Sequence, residues 1–198
     1  MTDSIAKTKW LTIPNFFSYI RIASVPFLFY IAFKGHPNLF LIVLALALST
    51  DAIDGYFARK LNQITTLGTT LDSVADMAMY LTIPPCAWLL WPELIKQDYI
   101  YIIIVLSAFI IPMIGGFIKF GRMPSYHTWL AKITTILLSL TVLIWFATKI
   151  VWPFKVAVFI QIMVMIEYLA ITNRLKKWRG NIPSYWHTTD QIGELNEN

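Results

Sequence analysis

The chain has 198 residues, 57% of them hydrophobic and 14% charged, with a formal net charge of +5 and a mean hydropathy of +0.61. Disordered chains are far poorer in apolar residues, and soluble globules run near 45–50% apolar and about 25% charged, so both classes fit badly. The apolar residues gather in uncharged runs such as Met77 to Pro92, Tyr99 to Ile118 and Ile133 to Thr148, each close to the roughly 17–25 residues that a helix needs to cross hydrocarbon. An all-α, polytopic membrane protein is predicted.

Lys7 and Lys9 precede the first apolar stretch, and no small-residue cleavage pattern follows, so that stretch reads as a retained helix and not a signal peptide. Residues 1–15 form a juxtamembrane segment in which Thr2 to Trp10 suits a short interfacial helix. Six transmembrane spans are expected: Phe16 to Phe33, Leu39 to Phe57, Leu71 to Trp91, Tyr99 to Ile118, Trp129 to Thr148 and Val156 to Thr172. A polar tail, cytoplasmic in this topology, covers 180–198. An even number of spans puts both termini on one side. Taken as the cytoplasm, that side holds twelve of the sixteen Lys and Arg residues, the other four being Lys34, Lys96, Lys149 and Lys155. This bias predicts N-in/C-in and assigns the net charge to orientation and not to nucleic acid. Trp10, Trp91, Trp129, Trp152 and Trp178 fall near span ends, where amphipathic rings settle at the headgroups. Cys86 is the one cysteine, so neither a disulfide nor a cysteine metal site is available. No repeat or long linker divides the chain, and a single domain over 1–198 is expected.

The second span begins with the apolar run Leu39 to Leu48 and then carries Ser49, Thr50, Asp51 and Asp54; the third carries Asp72 and Asp76. Ionisable groups within a span are costly and mark function. Asp51 and Asp54 are three positions apart and Asp72 and Asp76 four, so each pair shares a helix face. A short loop makes the two helices antiparallel neighbours, so the pairs confront each other at similar depth. Four anions that close need cations among them, and hard divalent ions with oxygen ligands, Mg²⁺ above all, are the natural choice. Asp51 lies about six residues, roughly 9 Å, from the cytoplasmic end of its helix, which puts the site just beneath the inner surface. Gly55 and Gly68 each cost a helix interior about 1 kcal/mol relative to alanine and let a ligand approach the backbone closely. Arg59 is a permanent cation suited to phosphate. These elements together describe a diphosphate site.

The run Asp51-Ala-Ile-Asp54-Gly55-Tyr-Phe-Ala58-Arg59, then eight residues and Gly68, three and Asp72, three and Asp76, resembles the motif of the CDP-alcohol phosphatidyltransferases at all eight fixed positions. The likeness extends more loosely through Pro14-Asn15-Phe-Phe-Ser18-Tyr-Ile-Arg21 and the six-span layout. It implies an enzyme of phospholipid biosynthesis that passes the phosphatidyl group of CDP-diacylglycerol to an alcohol and releases CMP. By resemblance, Asp51, Asp54, Asp72 and Asp76 would bind Mg²⁺ or Mn²⁺, with two ions expected, and Asp76 would also accept the proton of the attacking hydroxyl. Gly55, Ala58 and Gly68 would line the nucleotide site, Arg59 would meet the diphosphate and Asn15 would contact the nucleotide. Glycerol 3-phosphate is the expected acceptor, as the commonest in bacterial relatives; inositol phosphate, serine and choline are the alternatives. A bacterial inner membrane, a site facing the cytoplasm and a homodimer follow from the same resemblance.

Lys119, Arg122 and Lys132 flank the loop between the fourth and fifth spans and would hold a phosphate on the acceptor, although ordinary positive-inside residues would stand there too. Ser125-Tyr-His127-Thr-Trp-Leu-Ala-Lys132 resembles only loosely the lysine-bearing segment of phosphatidylglycerophosphate synthases and lacks their additional arginines. Arg21 suits snorkelling or pairing with an aspartate as well as it suits substrate contact. Pro14, Asn15 and Ser18 read most simply as helix-start residues, and Glu167 as a residue with a structural partner, such as a neighbouring lysine, and not as a catalytic acid. His127 lies near the proposed site; His36 and His187 read as loop residues. Intramembrane prenyltransferases also pair aspartate-rich helices with Mg²⁺, but they expect different aspartate spacing and more spans. In a cation transporter the carboxylates would sit at the midplane and without Arg59.

Overall fold

The computed structural model describes residues 12–60, 66–122, 124, 126, 128–175, 178 and 182–186, with backbone alone for 13, 14, 51–60, 66, 67 and 69. Six helices stand among these residues: α1 (Ile13–Phe33), α2 (Pro37–Lys60), α3 (Thr66–Leu90), α4 (Pro92–Phe120), α5 (Trp129–Thr148) and α6 (Trp152–Arg174). No strand occurs among the described residues. The segment Thr2 to Trp10, His127, His187 and most of the tail lie outside them.

The helices match the six predicted elements in order, and α5 matches in its bounds. The others overrun the apolar runs because hydrogen bonding and capping, not hydropathy, set helix ends. Thr12 caps α1, its side chain accepting from Asn15 N at 3.3 Å, with Pro14 in the first turn. Proline also opens α4, seven residues before its apolar run, with Glu93 in the first turn, where acidic charge complements the helix dipole.

Asn15–Phe33, Pro92–Phe120, Trp129–Thr148 and Trp152–Arg174 are long and apolar enough to cross a membrane, while α2 offers the shorter apolar stretch Pro37–Thr50. Large apolar side chains lie on the outside of the helices, Ile118 at 79% exposure and Phe33 at 72%, as suits a lipid solvent. The threonines of α5 are satisfied locally: Thr134, Thr135, Thr141 and Thr148 donate to the carbonyls of Leu130, Ala131, Leu137 and Ile144 four residues back.

The chain divides into two compact units, Met1–Ile95 and Lys96–Asn198. In the first, α1 packs along both α2 and α3, and its core draws on Leu28 and Ile31 of α1, Phe40 and Leu44 of α2, and Ala75, Met79 and Cys86 of α3. Trp91, just past the end of α3, meets Phe40 near the start of α2 edge to face at 6.0 Å. In the second unit α5 packs on α6. Asp98 leaves helical geometry inside α4 (φ −120°, ψ 18°) and, buried, accepts Lys155 Nζ at 3.1 Å.

A Cβ on Gly116 would stand 2.7 Å and 2.8 Å from ring carbons of Pro124, whereas one on Gly115 would meet Leu169 at 3.5 Å. The proline ring cannot swing away. Gly116→Ala is therefore expected to destabilise by about 1–3 kcal/mol, and Gly115→Ala to be neutral or better, since alanine favours the helix. Thermal unfolding in detergent checks this; equal melting of the two variants would show that Pro124 yields.

Candidate active site

Asp72 and Asp76 lie one turn apart on α3, and their Oδ1 atoms converge on a single nitrogen. Arg21 Nη1 of α1 donates to Asp76 at 2.7 Å and to Asp72 at 3.2 Å. The guanidinium is 1% exposed and the carboxylates 27% and 30%, so the cation sits inward and the acids open outward. Arg21 thus pairs with aspartates, one of the roles the sequence left open. Gly68, half-buried, stands four residues before Asp72 on the same helix.

The polar face of α1 was only partly legible. Asn15 and Ser18 are buried with Arg21, at three-residue spacing along the helix. They are not merely helix-start residues: Thr12 does the capping, and Asn15 and Ser18 belong to the face from which Arg21 reaches α3. A polar triplet at helical spacing in an otherwise apolar segment was the available signal.

Asp51, Asp54, Gly55, Ala58 and Arg59 lie on the second half of α2, which stays helical to Lys60; their side chains are outside the described residues, as is the 61–65 connection. Among the described residues no three His, Cys, Asp or Glu side chains gather. The α3 pair nevertheless fits a divalent ion, since two hard carboxylate oxygens already share one cation.

The three basic residues expected at the acceptor have separate partners. Lys119 Nζ donates to the carbonyls of Thr172 and Asn173 at 2.9 and 2.7 Å, which satisfies the C-terminal carbonyls of α6. Exposed Arg122 lies 5.6 Å from the Trp178 ring, and exposed Lys132, in the first turn of α5, lies 5.1 Å from the Trp129 ring.

Glu167, expected to have a structural partner such as a neighbouring lysine, accepts from Thr128 Oγ1 at 2.8 Å and from the Tyr185 amide at 3.3 Å. Thr128 also caps α5 through the Ala131 amide. Residues 182–186 of the tail, patternless as a sequence, contact residues at and just before the start of α5: Ile182 N–H donates to the Tyr126 carbonyl and Trp129 N–H to that of Pro183. Ile182 is buried with Tyr126, Ile171 and Leu175. Burial pushes the Tyr126 phenol up, against the pull of its 2.8 Å hydrogen bond with Thr172.

A family model for CDP-alcohol phosphatidyltransferases matches residues 11–172, and the chain belongs to that family of phospholipid biosynthesis, in which divalent metal ions are general. Three relatives illustrate its neighbourhood. A CMP-forming cardiolipin synthase of Streptomyces coelicolor is 33% identical over 131 residues, 63% of this chain and 60% of the relative. A CDP-diacylglycerol–glycerol-3-phosphate 3-phosphatidyltransferase of Sodalis glossinidius is 39% identical over 72 residues, 35% of this chain and 40% of the relative. A CDP-diacylglycerol–inositol 3-phosphatidyltransferase of Saccharomyces cerevisiae is 39% identical over 64 residues, 32% of this chain and 29% of the relative. The matches thus span three fifths or less of each relative's length. No solved structure matches the chain.

Proposed function

We propose that the protein is an integral-membrane transferase that moves the phosphatidyl group of CDP-diacylglycerol onto a small alcohol and releases CMP. The carrying observation is the pair of α3 carboxylates converging on one cation inside the family's own motif. In this reading Asp51, Asp54, Asp72 and Asp76 hold two Mg²⁺ or Mn²⁺ ions, which when bound neutralise the diphosphate and make phosphorus more electrophilic. Asp76 takes the proton of the attacking hydroxyl, whose oxygen forms the new bond to phosphorus as the bond to CMP breaks. Arg59 meets the diphosphate, Gly55, Ala58 and Gly68 leave room for the nucleotide, and Asn15 contacts it. Little covalent work falls to the protein, so positioning and charge dominate.

The N-in/C-in orientation of six spans, with the site facing the cytoplasm, is supported by the bias of cationic residues, and a bacterial inner membrane belongs to the same reading. The family match runs through both compact units, which supports one domain over 1–198. A homodimer belongs to the same reading.

Glycerol 3-phosphate is the proposed acceptor, supported by the relative from Sodalis glossinidius. A second reading has support of its own: the match to a CMP-forming cardiolipin synthase extends over 131 residues against 72, and making that lipid with CMP release needs a glycerol hydroxyl carried by another phospholipid. CMP release by the full chain in nanodiscs, with CDP-diacylglycerol and Mn²⁺, tests the reading. Glycerol 3-phosphate and phosphatidylglycerol decide between the two acceptors. Silence with both, and with inositol phosphate, serine and choline, overturns the enzyme. If Lys132 holds the acceptor's phosphate, Lys132→Gln raises the acceptor KM by about tenfold, the scale of one exposed charge-assisted hydrogen bond, and leaves that for CDP-diacylglycerol unchanged. An unchanged acceptor KM rejects the role.

A further inference from the structure

We propose that Arg21 is the internal counter-cation of the α3 carboxylates in the metal-free protein and competes with the divalent ion for the same oxygens. The inference rests on the assignment of metal to Asp72 and Asp76. It begins from burial: a guanidinium 1% exposed cannot deprotonate, and a buried charge persists only where it is paired. Two of its contacts fall on the carboxylates that would hold the metal, one Oδ1 of each at 3.2 and 2.7 Å from a single nitrogen.

The carboxylates have a matching need, since like charges one helical turn apart repel. Arg21 relieves that repulsion and keeps both side chains turned to a common point. A divalent ion binds carboxylate oxygens at about 2.0–2.6 Å, which would bring it against the nitrogen now shared by both side chains, and two cations at one point repel strongly in a partly dry site. Metal entry therefore displaces Arg21. The displaced guanidinium is a buried cation close to the metal, placed to meet an anion that follows the metal in, and the diphosphate of the liponucleotide is such an anion.

The test is Mn²⁺ binding by the full chain in nanodiscs, read by electron paramagnetic resonance without substrate, beside thermal unfolding with and without Mn²⁺. A neighbouring charge shifts a site's affinity for protons by one to three powers of ten. On that scale, Arg21→Met is expected to bind Mn²⁺ about tenfold or more tightly than the parent protein. Its metal-free melting temperature should fall, and Mn²⁺ should raise it by more than it raises the parent's. Arg21→Lys keeps the charge on a shorter arm and serves if the methionine variant does not fold; it is expected to tighten binding by about threefold. Parental or weaker affinity in a folded variant overturns this inference alone. No Mn²⁺ binding by the parent protein overturns both the inference and the metal assignment beneath it.

Discussion

Asp76→Asn is expected to lower kcat for CMP release by about 10²–10⁴-fold, the usual worth of a positioned carboxylate base. Asparagine keeps the size of the side chain and an oxygen that can still accept from Arg21, which now donates to Asp76 at 2.7 Å, so the fold of the first unit is retained. What disappears is the negative charge and the ability to take a proton. Asp72→Asn separates the two roles. If Asp72 is a metal ligand only, its variant recovers part of its turnover as Mn²⁺ is raised, whereas a lost base is not restored by metal. A titration of activity against Mn²⁺ for both variants checks this. Near-parental turnover by Asp76→Asn removes it from the reaction, and full rescue by metal reassigns it as a ligand alone.

Trp145→Ala is expected to cause the largest loss of stability, about 3 kcal/mol, at the low end of the range of about 3–5 kcal/mol for emptying a large aromatic site. Trp145 is 1% exposed and stacks on Phe154 at 4.7 Å, with Phe146 at 5.1 Å, so its loss opens a void between α5 and α6. The low end applies because lipid is as apolar as the helix interface, which leaves packing and not transfer from water as the main term. Trp145→Phe provides the contrast. The indole Nε1 is buried and finds no acceptor among the described residues, and an unsatisfied donor costs about 1–3 kcal/mol. Removing it offsets part of the lost ring, so the phenylalanine variant is expected to stay close to the parent. Denaturation in mixed detergent micelles checks both; an alanine variant within about 1 kcal/mol of the parent would show that the site collapses around the smaller side chain.

Much of the architecture was legible because the information is local. Hydrocarbon dictates the length and composition of a segment that crosses it, and hydropathy located each of the six helices among the described residues. Capping was less visible: Thr12 and Pro92 extend α1 and α4 beyond their apolar runs, and a scan for hydrophobicity gives a polar cap no weight. In the candidate site, the four-residue interval between Asp72 and Asp76 was enough to place them on one helix face, and their side chains do turn to a common point. The interval carried no sign that α1 would supply the cation between them.

By itself, then, the sequence determined the class of the protein, the order of the six helices among the described residues and the acidic motif, since each depends on spacing along one segment and on the solvent around it. Tertiary structure alone decided which side chains meet across the chain. Arg21 finds Asp72 at a separation of 51 residues and Lys119 finds the end of α6 at 53, while Glu167 holds Thr128 and Tyr185 together. Such pairings follow from how helices pack, and the residues adjoining either partner bear no trace of the other.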